Sequence, residues 1–257
     1  MKALSITLLS TICLSAAAQK LPSIQQVSLR APANVKIDGK ITEWGSTLQA
    51  YNKATNVYYT LSNDNENLYL CLVAKESSSL SKIARTGVRF TINHSISKKD
   101  TSPVVITYPA LARKDRAALA GLFETRSFEG LKVPIDHSAE ALNKLLRSKS
   151  KLIKVEGVKD IDADNLSIYN DKGIVAASEF GGPSLYTYEL VVPLKYLSLN
   201  KTELAFSYQI KLNYVDEKEE AAFRAAQPPP PPNVIELKPV MSYIAVSDFW
   251  GEYTLVK

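Results

Sequence analysis

The sequence predicts an all-β protein, an antiparallel β-sandwich carrying a partly helical, basic insertion. Three observations predict it. The stretch ELAFSYQIKLN alternates strictly, with Leu204, Phe206, Tyr208, Ile210 and Leu212 on one side and Glu203, Ala205, Ser207, Gln209 and Lys211 on the other. A period of two puts all five large residues on one face of a strand. At ~1.5–3 kcal/mol for each large side chain buried, that face contributes on the order of 10 kcal/mol before entropy is charged. Second, many short stretches of this kind follow one another with turn residues between them, which favours a sandwich or barrel over a parallel α/β fold. Third, helical patterning in the middle of the chain is confined to one segment.

The strands are justified in order. VYYTL leads through Ser62-Asn63-Asp64-Asn65-Glu66-Asn67, a polar hairpin signal, into NLYLCLVA. There Leu68, Leu70, Leu72 and Ala74 oppose Tyr69, Cys71 and Val73, so this strand reads as buried on both faces. GVRFTIN turns Val88, Phe90 and Ile92 inward, and VVITY follows. After the insertion come KLIKVEGV and IVAASEF. LYTYELVVPL aligns Tyr186, Tyr188, Leu190 and Val192. VMSYIAV and FWGEYTLV complete the set. The insertion spans about residues 109–150 and includes LARKDRAALAGLF and SAEALNKLLRSK, with Ser138 placed to start a helix. Five prolines, Pro228 to Pro232, lie in a loop of about residues 216–238. Proline lacks the N–H that a ladder needs, so this run is expected to be a stiff polyproline II stretch in solvent.

The first 18 residues read as a secretory signal peptide: Lys2, an apolar run from Ala3 to Leu14, and cleavage after Ala18. A lipid anchor on Cys13 is the rival reading, but Ser-Thr-Ile before it is a poor lipobox. The apolar run falls short of the ~20 residues of a membrane span, and no later segment qualifies. The processed chain is therefore expected outside the cytoplasm, periplasmic or secreted. Residues 19–34 form a lead-in, and residues 35–257 a single domain. Cys71 is the only cysteine beyond the leader, which leaves no internal disulfide and no cysteine zinc site.

Charge is uneven. Residues 113–154 hold ten Lys or Arg against five Asp or Glu, so the basic character belongs to the insertion. Such a segment suits a solvated helical face or an acidic surface polymer. Aromatic residues are sparse there, which argues against base stacking and a nucleic-acid partner.

VKIDGKITEWG, followed by SNDNENLYLCLVA, resembles the opening of family 9 carbohydrate-binding modules and the wider DOMON-like β-sandwich group. YELVVPLKYL resembles the Tyr-Glu-apolar-Pro-Leu strand of that group. IKVEGVKDID, IYNDKGIVAA, YTYELVVPLKYL and SDFWGEYTLVK together look like a set of uncharacterised secreted bacterial proteins with the same sandwich. The matches span most of residues 35–257 and leave out the insertion and the proline loop. The resemblance implies the sandwich and a carbohydrate ligand held by exposed aromatics. It also implies that Trp44 sits near the first turn, where the entering chain packs on the sandwich.

On that reading Trp44 is a lid over one end of the core, its indole N–H reaching a carbonyl, with ligand stacking as the alternative. Trp250 is the stronger ligand candidate. In FWGEYTLV it shares a polar face with Glu252 and Thr254, and a large aromatic on such a face calls for an explanation, either a ligand or a covering by the insertion. Tyr108, at the mouth of the insertion, is a third candidate.

Catalytic signatures are missing from the sequence. His94 and His137 are its two histidines, and neither a Gly-x-Ser-x-Gly elbow nor an HExxH motif occurs. Some DOMON domains hold haem through Met and His, for which His94 and Met241 would be the pair here. Glu43, Asp160, Asp162, Asp164, Glu179 and Glu189 are candidates for a glycosidase pair, each more simply read as a turn or strand-surface residue. Asp160, Asp162 and Asp164 are spaced like calcium ligands, but KDIDADN lacks the glycine and distal glutamate of an EF-hand, so an acidic turn is the default and a structural calcium the alternative. The expected function is non-catalytic binding of a carbohydrate. The alternatives are a cell-envelope protein that binds a protein or acidic polymer through its insertion and, more distantly, a glycosidase or its accessory.

Overall fold

A computed structural model describes residues 20–45, 48–121, 138–161, 165–182, 184–199, 204–214, 217–226 and 245–257. The leader, Asp162, Asp164, His137, Met241, the five prolines and most of VMSYIAV lie outside the described residues.

Among the described residues, eleven strands form two antiparallel sheets. One has five strands: β1 (Ala50–Asn52), β2 (Val57–Asn63), β3 (Asn67–Ala74), β8 (Val175–Gly182) and β9 (Leu185–Pro193), in the order β1-β2-β3-β9-β8. The other has six: β4 (Val88–Ile92), β5 (Val104–Tyr108), β6 (Leu152–Glu156), β7 (Asn165–Ser167), β10 (Ala205–Leu212) and β11 (Ser247–Thr254), in the order β11-β10-β4-β5-β6-β7. This is the antiparallel sandwich that the alternation predicts. The helices are α1 (Ser77–Thr86), α2 (Arg113–Gly121), α3 (Ala139–Lys149) and α4 (Glu217–Ala225). Two of them, α2 and α3, make the insertion helical, and Ser138 caps α3 by accepting the Ala141 N–H at 3.2 Å.

Two helices fall where the sequence reading has none. α4 occupies the start of the stretch read as the proline loop. Its first turn carries Glu217, Glu219 and Glu220, acidic residues that suit the positive end of a helix. α1 follows β3 directly and is amphipathic, burying Leu80 and Ile83.

The core lies between the sheets and is built by the alternating residues. Tyr59, Tyr186, Tyr188 and Tyr208 are among its largest fully buried side chains. Tyr59 and Tyr208 come from opposite sheets and share a hydrogen bond of 2.9 Å between their hydroxyls. Gly251 stands opposite Tyr208 in the β10–β11 register, and a Cβ there would run into the Tyr208 ring.

The lead-in covers an edge. β1 pairs with β2 only over Val57–Tyr59. Beyond it, the Gln25 side chain takes the place of a strand: its Oε1 accepts the Leu61 N–H at 2.7 Å and its Nε2 donates to the Leu61 carbonyl at 2.8 Å. Leu29 and Ala31 then bond the Asn63 backbone. An edge that would otherwise offer unpaired groups is closed in this way.

The outer face of the five-stranded sheet is also buried. Trp44, Leu48, Tyr69, Cys71, Val73 and Val191 form a second cluster there, with Val35, Ile37 and Ile41 packed on it. That second cluster is why β3 is apolar on both sides. It also places Trp44 on the back of a sheet and not over an end of the main core.

Candidate functional site

The five-stranded sheet is covered on both faces, whereas the outer face of the six-stranded sheet carries polar side chains. Register aligns its outward residues into rows. One row runs Asp248, Lys211, Arg89, Thr107, Lys154 and Asn165 across all six strands. The neighbouring row runs Trp250, Gln209, Thr91, Val105 and Glu156. These are the off-core positions of the same alternation that builds the core.

A groove of about 350 Å³ crosses this face, floored by Arg89, Thr107, Lys154 and Asn165. Residues of the β5–α2 connection, Ala110 to Ala112, line one side together with Arg116 of α2; Tyr214 and Glu219 line another. Part of the insertion therefore serves as a wall of the groove. Arg116 donates to Glu219 at 2.9 Å and Arg113 to Glu220 at 2.7 Å, which ties α2 to α4. Lys149 of α3 meets Asp115 of α2 at 2.9 Å. The basic insertion thus spends these cations on partners within the fold.

Arg89 is the centre of the floor. It donates to Glu156 at 2.6 Å, and its guanidinium lies 4.0 Å from the centroid of the Tyr214 ring. The stacking and the ion pair hold the guanidinium plane in place. Lys154 approaches the same Glu156 at 3.8 Å. Thr107 stands between Arg89 and Lys154 in register and is 6% exposed, and its buried hydroxyl has no hydrogen-bond partner. Thr86 Oγ1, also on the lining, is buried without a partner too. A second hollow of about 460 Å³ lies between the β2–β3 turn and the end of β9, and its lining has no aromatic ring.

The structure separates the residues that the sequence offers as ligand contacts. Trp250 is half-buried and Glu252 exposed, both outward on β11. Trp250 pairs in register with Gln209, whose amide donates to Asp248. Tyr108 faces inward, because alternation along β5 puts Val104, Ile106 and Tyr108 on the core side; it is 4% exposed and packs against Tyr188. Trp44 lies on the opposite sheet, 8% exposed, with its ring edge-on to Tyr69. Its N–H reaches not a carbonyl but Glu189 Oε1, at 2.7 Å. Trp250 and Glu252 are thus brought together, and Tyr108 and Trp44 are held away from them and from each other.

Of the remaining polar candidates, Glu189 and His94 have structural partners. Glu189 is fully buried and also accepts the N–H groups of Gly39 at 2.9 Å and Asp38 at 3.1 Å. Burial pushes its pKa up to about 7, although those donors and the Trp44 N–H pull the other way. His94 Nδ1 lies 2.6 Å from Asp100 Oδ2, which also accepts the His94 backbone N–H. Burial raises the Asp100 pKa, but the N–H groups of Ser102 and His94 outweigh it and hold the carboxyl below its ordinary range. This carboxylate closes the β4–β5 loop. Asp160 is exposed on the turn after β6. Among the described residues, no three His, Cys, Asp or Glu side chains group as metal ligands would, and no helix is long and apolar enough to cross a membrane.

Sequence reasoning misses Arg89, Thr107, Lys154 and Tyr214. The alternation marks Arg89, Thr107 and Lys154 as outward, but only the register brings them into line. Tyr169, two residues past the end of β7 and 81% exposed, is a further aromatic without a sequence signal.

No protein-family model matches the chain, and no curated protein matches it. Among solved structures, the chain is similar to a family 9 carbohydrate-binding module from Caldicellulosiruptor kristjanssonii in complex with glucose. That likeness has a TM-score of 0.39 and 11% sequence identity, over 90% of this chain and 95% of the other.

Proposed function

We propose that this protein is a non-catalytic, extracytoplasmic glycan-binding module and that the ligand lies on the outer face of the six-stranded sheet. The observation that carries this reading is the pairing of a half-buried tryptophan with a polar groove on one face. Trp250 offers an apolar ring for the face of a sugar, and the groove floor on the same face offers hydrogen-bonding groups. Arg89 on the groove floor lies two strands from Trp250, about 10 Å across the sheet, so an oligosaccharide of a few units would reach both the ring and the groove.

A reading in which the insertion is a free basic patch for an envelope polymer has less support, since Arg113, Arg116 and Lys149 are ion-paired within the fold. The test is retention on a polysaccharide array together with thermal melting. Trp250→Ala is expected to abolish retention and leave the melting temperature nearly unchanged. A large fall in melting temperature with retention intact would assign Trp250 to structure alone.

A further inference from the structure

We propose that the groove is a subsite for an N-acetylated amino sugar, a neutral ring that carries an acetamido group. This rests on the reading of the outer face as a glycan site and narrows it to a ligand class.

Two kinds of residue line the groove. Arg89, Thr107 and Asn165 are polar and belong to one register row. Ala110, Ala112 and Leu152 are apolar and stand beside that row. Leu152 is 41% exposed, two residues from Lys154 and on the same outward face of β6. A single exposed leucine needs no explanation. This one adjoins Ala110, whose N–H donates to the Leu152 carbonyl at 3.0 Å, so the two form a joint apolar surface within a polar groove. The Leu111 carbonyl accepts from Arg116 Nε at 3.1 Å, which fixes the connection that carries Ala110 and Ala112.

The polar row has donors in place. Among the described residues Arg89 makes one hydrogen bond, from Nη1 to Glu156 at 2.6 Å. Neither Nε nor Nη2 is among the buried atoms that lack a partner, so both are open to solvent on a residue of the lining. The Tyr214 ring, 4.0 Å from the guanidinium carbon, holds the plane. An acceptor that arrives there meets N–H groups that lose little freedom on binding. Thr107, the register neighbour of Arg89, keeps a buried hydroxyl without a partner, and buried hydroxyls are ordinarily hydrogen-bonded.

An acetamido group answers both features with one planar unit. Its carbonyl oxygen accepts from Arg89, and its methyl group covers Leu152 and Ala110. A plain hexose has a hydroxyl at the same carbon and leaves the apolar surface uncovered. The match needs no net charge in the groove: Arg89 and Lys154 face Glu156, and Arg116 pairs with Glu219.

The test uses the processed chain and two neutral tetrasaccharides of the same β-1,4 linkage, one of N-acetylglucosamine and one of glucose, with calorimetry and the polysaccharide array. Wild type is expected to prefer the acetylated tetramer by about tenfold or more, the effect of one hydrogen bond to a charged group and one buried methyl. Leu152→Gln is expected to remove most of that preference and leave the affinity for the glucose tetramer unchanged. Its melting temperature should hold, because Leu152 is exposed. Arg89→Gln is expected to reduce the preference as well, and Leu152→Gln keeps the test open if Arg89→Gln fails to fold. Trp250→Ala is expected to weaken both tetramers alike.

Equal wild-type affinity for the two tetramers would overturn the acetamido subsite and leave the glycan reading standing. So would a preference that survives both Leu152→Gln and Arg89→Gln, or an array on which glycans without an acetamido group are retained as well as those with one. Retention of no glycan at all would overturn the wider reading and the subsite with it.

Discussion

The Trp44 indole N–H donates to Glu189 Oε1 at 2.7 Å, joining the first turn of the domain to the middle of β9. Glu189 Oε2 takes the Asp38 and Gly39 N–H groups, so one carboxyl gathers the whole Asp38-Gly39 turn against the sheet. Gly39 has φ +89°, and a Cβ there would press on the backbone of Ser178 at 2.9 Å. Glycine is therefore required twice, for the conformation and for the close approach.

Trp44→Phe keeps most of the apolar contact with Tyr69 but removes the donor. A buried acceptor then loses a partner, and urea unfolding is expected to show a loss of about 1–3 kcal/mol. Glycan retention should stay as in wild type, because Trp44 is on the sheet opposite Trp250. Lost retention in a folded Trp44→Phe protein would move the ligand site to the other sheet.

The same carboxyl gives a pH dependence. Its folded pKa is raised to about 7, first by burial, above the ordinary 4.5. Between these values the folded state holds a proton that the unfolded state has released. Stability contributed by Glu189 is thus present in full below about pH 4.5, falls as pH rises towards 7, and is level above. The expected fall is on the order of 3 kcal/mol. Glu189→Gln cannot titrate, so the difference between its unfolding free energy and that of wild type should carry this slope. A flat difference from pH 4 to 8 would show that the three N–H donors offset burial.

Gly251 fixes how β11 lies on β10. Gly251→Ala would drive a methyl group into the Tyr208 ring, which is fully buried and hydrogen-bonded to Tyr59. Overpacking of this kind costs about 1–3 kcal/mol, to be read as a lower urea midpoint. Because Trp250 adjoins Gly251, weaker glycan retention should accompany it. An unchanged midpoint would mean that the Tyr208 ring has room to move.

Much of the fold is legible in the sequence because burial writes itself as period two. Phe206, Tyr208, Ile210 and Leu212 are all fully buried on β10, and β3 is covered on both faces as its composition implies. The helix α4 is not legible as an element: its sequence EKEEAAFRA lies next to the proline run, and its acidic residues gain their purpose from Arg113 and Arg116, about a hundred positions earlier. The candidate site is legible only by halves. Trp250 and Glu252 stand out as exceptions on a strand. The groove does not, because Arg89, Thr107 and Lys154 each look like an ordinary exposed strand residue until register puts them side by side. Long-range pairing carries that information, and no local pattern records it.

Of the two tryptophans, Trp44 is buried and Trp250 partly exposed, so a small quencher in solution reads Trp250 almost alone. Acrylamide quenching of the wild-type protein, with and without a saturating polysaccharide found on the array, tests the binding face directly. Protection of the quenchable fluorescence when the polysaccharide binds is expected. Unchanged quenching at saturation would place the ligand elsewhere on the molecule.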